Sequence, residues 1–217
     1  MNTTNTLLTN AWAAWPKALL LAFAMLATQA SASQEKLAAS IQATRDEVIA
    51  TRDQLQATVN SIDALVKQKE GDMKPTYDAY VADVTKAQSD AAKTVKRSAA
   101  MEADAKSHFS AWQQNIDGIA NEKLRKQAQK RLAAVQKSYD KAVAELAAAG
   151  TSFNPYLSDL ADIKKMLAND LTPGGVKAIK GTVSSAKFNL GVVRTHLFDA
   201  IKELDSMQQS LTTTAKK

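Results

Sequence analysis

The chain has 217 residues, 45% of them hydrophobic and 23% charged, with 28 lysines and arginines against 22 acids, a net charge of +6 and no cysteine. Without cysteine there is no disulfide, no thiol nucleophile, no thiolate metal site and no lipid-bearing lipoprotein cysteine, so the fold must rest on its hydrophobic core. The length suits one domain of packed layers.

The first 32 residues carry a single charged side chain, Lys17, followed by the uncharged run from Ala18 to Ala27 and then Ala30-Ser31-Ala32. A short apolar run ending in small residues is the build of a secretory signal peptide, with cleavage expected after Ala32. A bilayer span needs roughly 20 apolar residues, about twice what is present, so no stable transmembrane span is expected in the mature chain. An uncleaved amphiphilic anchor is the alternative. Residues 33–217 form the expected mature domain, exported to the periplasm. Its modest positive charge suits phospholipid head groups or acidic proteins better than nucleic acid, which an exported protein rarely meets, and solubility alone also accounts for it.

Beyond the leader, apolar residues recur at helical spacing. The first helix is expected from about Gln34 to Lys69, with Ile41, Val48, Leu55 and Ile62 on one inward series and Leu37, Thr44, Thr51, Thr58 and Leu65 on the other. Three threonines on a seam should weaken it, leaving this helix detachable or at the edge of the fold. After Gly71-Asp72 a second helix begins near Pro75 and runs to about Asp117. Its seam passes Tyr77, Val81, Val84, Ala91, Val95, Ala105, Phe109, Trp112 and Ile116, with small residues in the middle that permit close approach of a neighbour. Tyr77, Phe109 and Trp112 read as core rather than as a binding patch.

Gly118 ends this helix and Asn121 caps a third, expected from Glu122 to about Ala149. Gly150-Thr151-Ser152 reads as its stop, and Asn154-Pro155 as the cap and first turn of a shorter fourth helix. A second such restart at Thr172-Pro173 leads into the most regular helix of the chain, with Val176, Val183, Leu190, Leu197, Leu204 and Leu211 on one seam and Ile179, Ala186, Val193, Ala200 and Met207 on the other. Short connections make neighbours antiparallel, so the expected fold is all-α: an elongated, coiled-coil-like antiparallel bundle of long helices. A heptad stripe serves an intramolecular bundle and a dimer equally, which leaves the oligomeric state open.

Chemistry is hard to find in these residues. His108 and His196 have no second histidine or paired carboxylate at metal-ligand spacing, no glycine-rich phosphate loop follows a strand, and no serine elbow occurs. No catalytic, cofactor or metal residue is expected, and leucine-lined seams should leave few pockets. The densest charge cluster is Lys123, Arg125, Lys126, Lys130, Arg131 and Lys137, a candidate contact for an anionic envelope surface, or a solvated helix face.

From Asn121 onward, Leu124-Arg125, Arg131-Leu132, Tyr139, Asn154-Pro155, Leu157, Leu160 and the closing helix to Leu211 resemble a bacterial family of exported helical envelope proteins, domain of unknown function 2959. The resemblance covers most of the mature chain and implies a helical envelope protein with no assigned activity. Many members look like lipoproteins with cysteine at the cleavage site, whereas Ser33 stands here and implies a soluble product. The stretch from Met166 to Leu171 also departs from the more basic segment the family leads one to expect. The combined expectation is a non-enzymatic exported protein that binds or scaffolds an envelope component; the alternative is a periplasmic chaperone for unfolded envelope proteins.

Overall fold

The structure, a computed structural model, describes the backbone of residues 17–68 and 70–212 and the side chains of residues 31–68 and 70–211. Five helices account for all regular structure among the described residues: α1 Lys17–Lys67, α2 Lys74–Asp117, α3 Glu122–Asn169, α4 Pro173–Ala178 and α5 Lys180–Thr212. Residues 1–16 of the expected leader lie outside the described residues. From Lys17 the backbone is one helix through Ala32 and onward, so α1 crosses the expected cleavage site.

The helix ends follow from local chemistry. Gly71, at φ +83°, takes the left-handed conformation that turns the chain between α1 and α2. Asn121 accepts a hydrogen bond from the Leu124 amide at 3.1 Å and Thr172 accepts one from the Gly175 amide at 3.2 Å, each satisfying a first-turn donor with no partner inside its helix. Pro75 and Pro173 occupy first turns, where a missing N–H costs nothing.

The four long helices form an antiparallel ring in which α1 and α3 lie on one diagonal and α2 and α5 on the other. Register is visible in the polar contacts. Asp63 meets Lys187 at 2.6 Å, Gln56 meets Arg194 at 2.6 Å and Asp205 meets Arg45 at 2.5 Å, so α5 runs down α1 as α1 runs up. Such exposed pairs contribute about 1 kcal/mol or less each, and the seams supply the stability. Every α5 seam residue expected inside, from Val183 to Leu211, is buried, as are the aliphatic seam positions of α1 from Leu37 to Leu65.

Four expectations need correction. The chain does not stop at Gly150 and restart at Pro155: α3 is a single helix of 48 residues with Pro155 inside it. Proline removes one helical hydrogen bond, and burial of Tyr156, Leu160, Ile163 and Leu167 along one stripe holds the helix in line across the gap. Likewise, the chain from Pro173 is interrupted once, at Ile179, rather than forming one regular helix.

Helix α1 is neither detached nor peripheral. Its threonine stripe is buried against α2, where Thr44 donates to the Arg97 carbonyl at 3.3 Å, Thr51 meets Thr94 at 2.8 Å, and Thr58 donates to Gln54 O at 2.9 Å while lying 3.2 Å from Asp83 O. Threonine is small enough to let the two backbones approach, and its hydroxyl finds partners there. Finally, Val95, expected on the α2 seam, is 68% exposed.

Candidate functional site

The exposure of Val95 marks a gap in the core. Buried apolar residues fall into two clusters, one toward the α1–α2 turn and one toward the α2–α3 turn. At the first end Tyr77 and Tyr80 on α2 donate to the carbonyls of Lys164 and Leu160 on α3, at 3.0 and 2.9 Å. Tyr156 reaches across the diagonal from α3 to donate to Leu55 O on α1 at 3.2 Å. Burial pushes the Tyr80 and Tyr156 phenols far up, so both keep the proton they donate. At the other end Phe109 packs edge-to-face on Tyr139, their centroids 5.5 Å apart. Large aromatics therefore tie α2 to α3 at both ends.

Between these ties the side chains of α2 and α3, Phe153 and Leu157 included, leave a space open. Between Ala87 and Met101 the only buried residue of α2 is Asp90, held at 2.6 and 2.8 Å by Lys86 and Lys93 of its own helix. Facing it, α3 carries no charged residue from Leu146 to Ser158. A groove of about 550 Å³ results, within the usual range for ligand sites. Its α2 wall runs from Gln88 through Ala92, Val95 and Ala99 to Glu102, and its α3 wall from Val143 through Ala147, Gly150 and Phe153 to Leu157. Thr51 and Leu55 of α1 with Val193 and Leu197 of α5 form the floor. The few pockets expected of leucine seams are thus joined by a substantial one, because the alanines along the α2 wall leave the α3 side unfilled.

Of the lining side chains only Glu102 is charged, and it stands at the end nearest the α2–α3 turn. The Tyr139 phenol near that end is raised first by burial and then by the Glu102 and Asp140 carboxylates. The remaining polar lining is sparse: Gln88, Ser98 and Asn154 join the mutually bonded Thr51 and Thr94.

The six basic residues of α3 lie outside the groove, on the helical turns between it and the α2–α3 turn. Spacings of three, four and seven put Lys123, Lys126, Lys130 and Lys137 on one exposed face. Lys126 pairs with Glu122 at 2.6 Å. Arg125 is half-buried, and Arg131 turns toward α5 to donate to Ser210 O at 3.3 Å.

Both histidines acquire partners that sequence spacing conceals. His196 meets Glu145 at 2.7 Å across α5 and α3. His108 is buried with Nδ1 3.1 Å from the Ser33 hydroxyl and its ring beside Phe109 and Trp112, and desolvation lowers its pKa. Among the described residues no group of three or more metal-ligating side chains converges, and no helix is long and apolar enough to cross a membrane. The groove itself escapes sequence reasoning directed at chemistry. Its signal is the uncharged stretch from Leu146 to Ser158 opposite an alanine-rich turn of α2.

Among known families, the one described as Protein of unknown function (DUF2959) matches residues 24–211. No curated protein matches the chain.

Proposed function

The chain belongs to the DUF2959 family, and from that premise we propose that it is a non-enzymatic, exported envelope protein that binds an apolar component in the groove between α2 and α3. The observation that carries this reading is the groove itself, an apolar slot left open in the middle of a bundle whose two ends are filled. Export after cleavage at Ala32 gives the setting: a periplasmic protein faces lipids and envelope proteins rather than nucleic acid.

Capture from envelope extract tests the reading. Gly150 lines the groove, and a Cβ built on it meets nothing within 4 Å, so Gly150→Leu adds bulk at the groove wall with no clash at its Cβ. A component retained by the native protein and lost by Gly150→Leu supports the reading; identical retention by both refutes it.

A chaperone for unfolded envelope proteins is the second reading, favoured by Phe188 and Phe198, 74% and 61% exposed on α5, together with the basic face of α3. It requires that suppression of client aggregation weaken when Lys126, Lys130 and Arg131 are reversed to glutamate. Unchanged suppression removes the electrostatic part of that idea.

A further inference from the structure

We infer that the groove holds one long, unbranched acyl chain, and that the lipid carrying it has an uncharged head group. This inference rests on the groove being a binding site and adds the class of ligand. From Gln88 to Glu102 the α2 wall covers fourteen helical steps, which at 1.5 Å each gives a slot roughly 21 Å long. A volume of about 550 Å³ along that length, with a water radius of about 1.4 Å added at each wall, leaves an average width of about 8 Å, below the roughly 10–12 Å diameter of an α-helix with its side chains. A helical partner is too wide.

An extended peptide is narrow enough but carries an N–H and a C=O at every residue, each costly to leave unpaired away from water. Thr51 and Thr94 are engaged with each other, which leaves Gln88, Ser98, Asn154 and Glu102 to serve a whole strand. A polymethylene chain has no such requirement. It gains from contact with Ala92, Val95, Ala99, Ala147 and Leu157 along its length.

Glu102 selects the head group. A free fatty acid would bring its carboxylate toward the Glu102 carboxylate, at the end where Asp140 also raises the Tyr139 phenol. Like charges repel there, whereas a glycerol ester can donate hydrogen bonds to Glu102.

The test is a titration of the full bundle with monoacylglycerols of increasing chain length, below their micelle concentrations, followed by tryptophan fluorescence and calorimetry. Binding should saturate at one lipid per protein, and affinity should rise about two- to fourfold per methylene until the slot is full. Gly150→Leu should end that rise several carbons earlier. Gly191→Leu makes the control, because Gly191 also has nothing within 4 Å of a built Cβ but lies on the exposed face of α5. It should match the native protein.

Palmitate should bind several-fold more weakly than monopalmitoylglycerol at neutral pH and recover most of the difference in Glu102→Gln. Monoacylglycerols that fail to saturate, or a chain-length series unchanged in Gly150→Leu, overturn the acyl-chain assignment. If Gly150→Leu nonetheless loses a component captured from envelope extract, the groove remains a binding site for another class of partner. Palmitate binding as tightly as monopalmitoylglycerol overturns the head-group assignment.

Discussion

Replacing Thr51 and Thr94 by valine, singly and together, tests how α1 is held. Thr51 is 3% exposed and its hydroxyl lies 2.8 Å from that of Thr94, the more exposed partner. Removing the Thr94 hydroxyl strands a buried polar group on Thr51, at a cost of about 1–3 kcal/mol. Removing the Thr51 hydroxyl instead leaves the more accessible Thr94 group, which water or its own helix can satisfy, for about 1 kcal/mol. The double replacement removes both polar groups and leaves apolar side chains of nearly the same shape, so it should be close to neutral. The cycle should therefore yield a coupling energy of about 1 kcal/mol or more. In thermal melts followed by circular dichroism, each kcal/mol corresponds to roughly 2–4 °C for a chain of this size. Thr94→Val should melt lowest, Thr51→Val next, and the double variant near the native protein. Strictly additive losses would refute the pairing. A stabilising Thr51→Val would revive the weak-seam view of the threonine stripe.

Three further predictions concern the rest of the bundle. Pro155→Ala should raise stability by about 1–3 kcal/mol in urea melts, because it restores a helical hydrogen bond inside α3; a lower midpoint would mean that the helix line depends on the proline ring. Leu197→Asp should abolish cooperative unfolding, since a carboxylate in the apolar floor costs several kcal/mol of a total of about 5–15 kcal/mol, and a soluble, fully helical variant would overturn the seam assignment. His108 has a folded pKa below its unfolded one, so the unfolded chain binds more protons between the two values. The stability it contributes is complete above about pH 6.5, falls as pH drops below that point, and levels off once pH passes beneath the lowered folded value. Urea melts from pH 8 to 5 should show this loss in the native protein and not in His108→Phe; an equal loss in both would place its origin elsewhere.

Much of the bundle is legible in the letters because heptad spacing of leucine and isoleucine dictates which face is buried, and Asn121, Thr172 and the first-turn prolines announce helix starts through local hydrogen bonding. Errors fall where tertiary packing overrides local preference. Gly150 and Pro155 signal a break, yet the buried line from Tyr156 to Leu167 carries α3 across it. The threonine stripe looks weak in isolation because its partners, Thr94 and the α2 carbonyls, lie 25 to 53 residues away along the chain. The groove is harder still to read. A run of small residues along one wall has no motif, and Val95 looks like any other seam residue until α3 fails to cover it.

The central claim is that the slot between α2 and α3 is an occupied site in the envelope. Since the chain has no cysteine, one thiol can be placed at a time: Val95→Cys on the groove wall and Phe188→Cys on the outer face of α5, two positions of similar exposure at 68% and 74%. The rate of alkylation of each should be measured in buffer and in detergent-solubilised envelope extract. Protection of position 95 by several-fold, with position 188 labelled at an unchanged rate, is the result predicted. Equal rates at position 95 with and without extract would contradict the account.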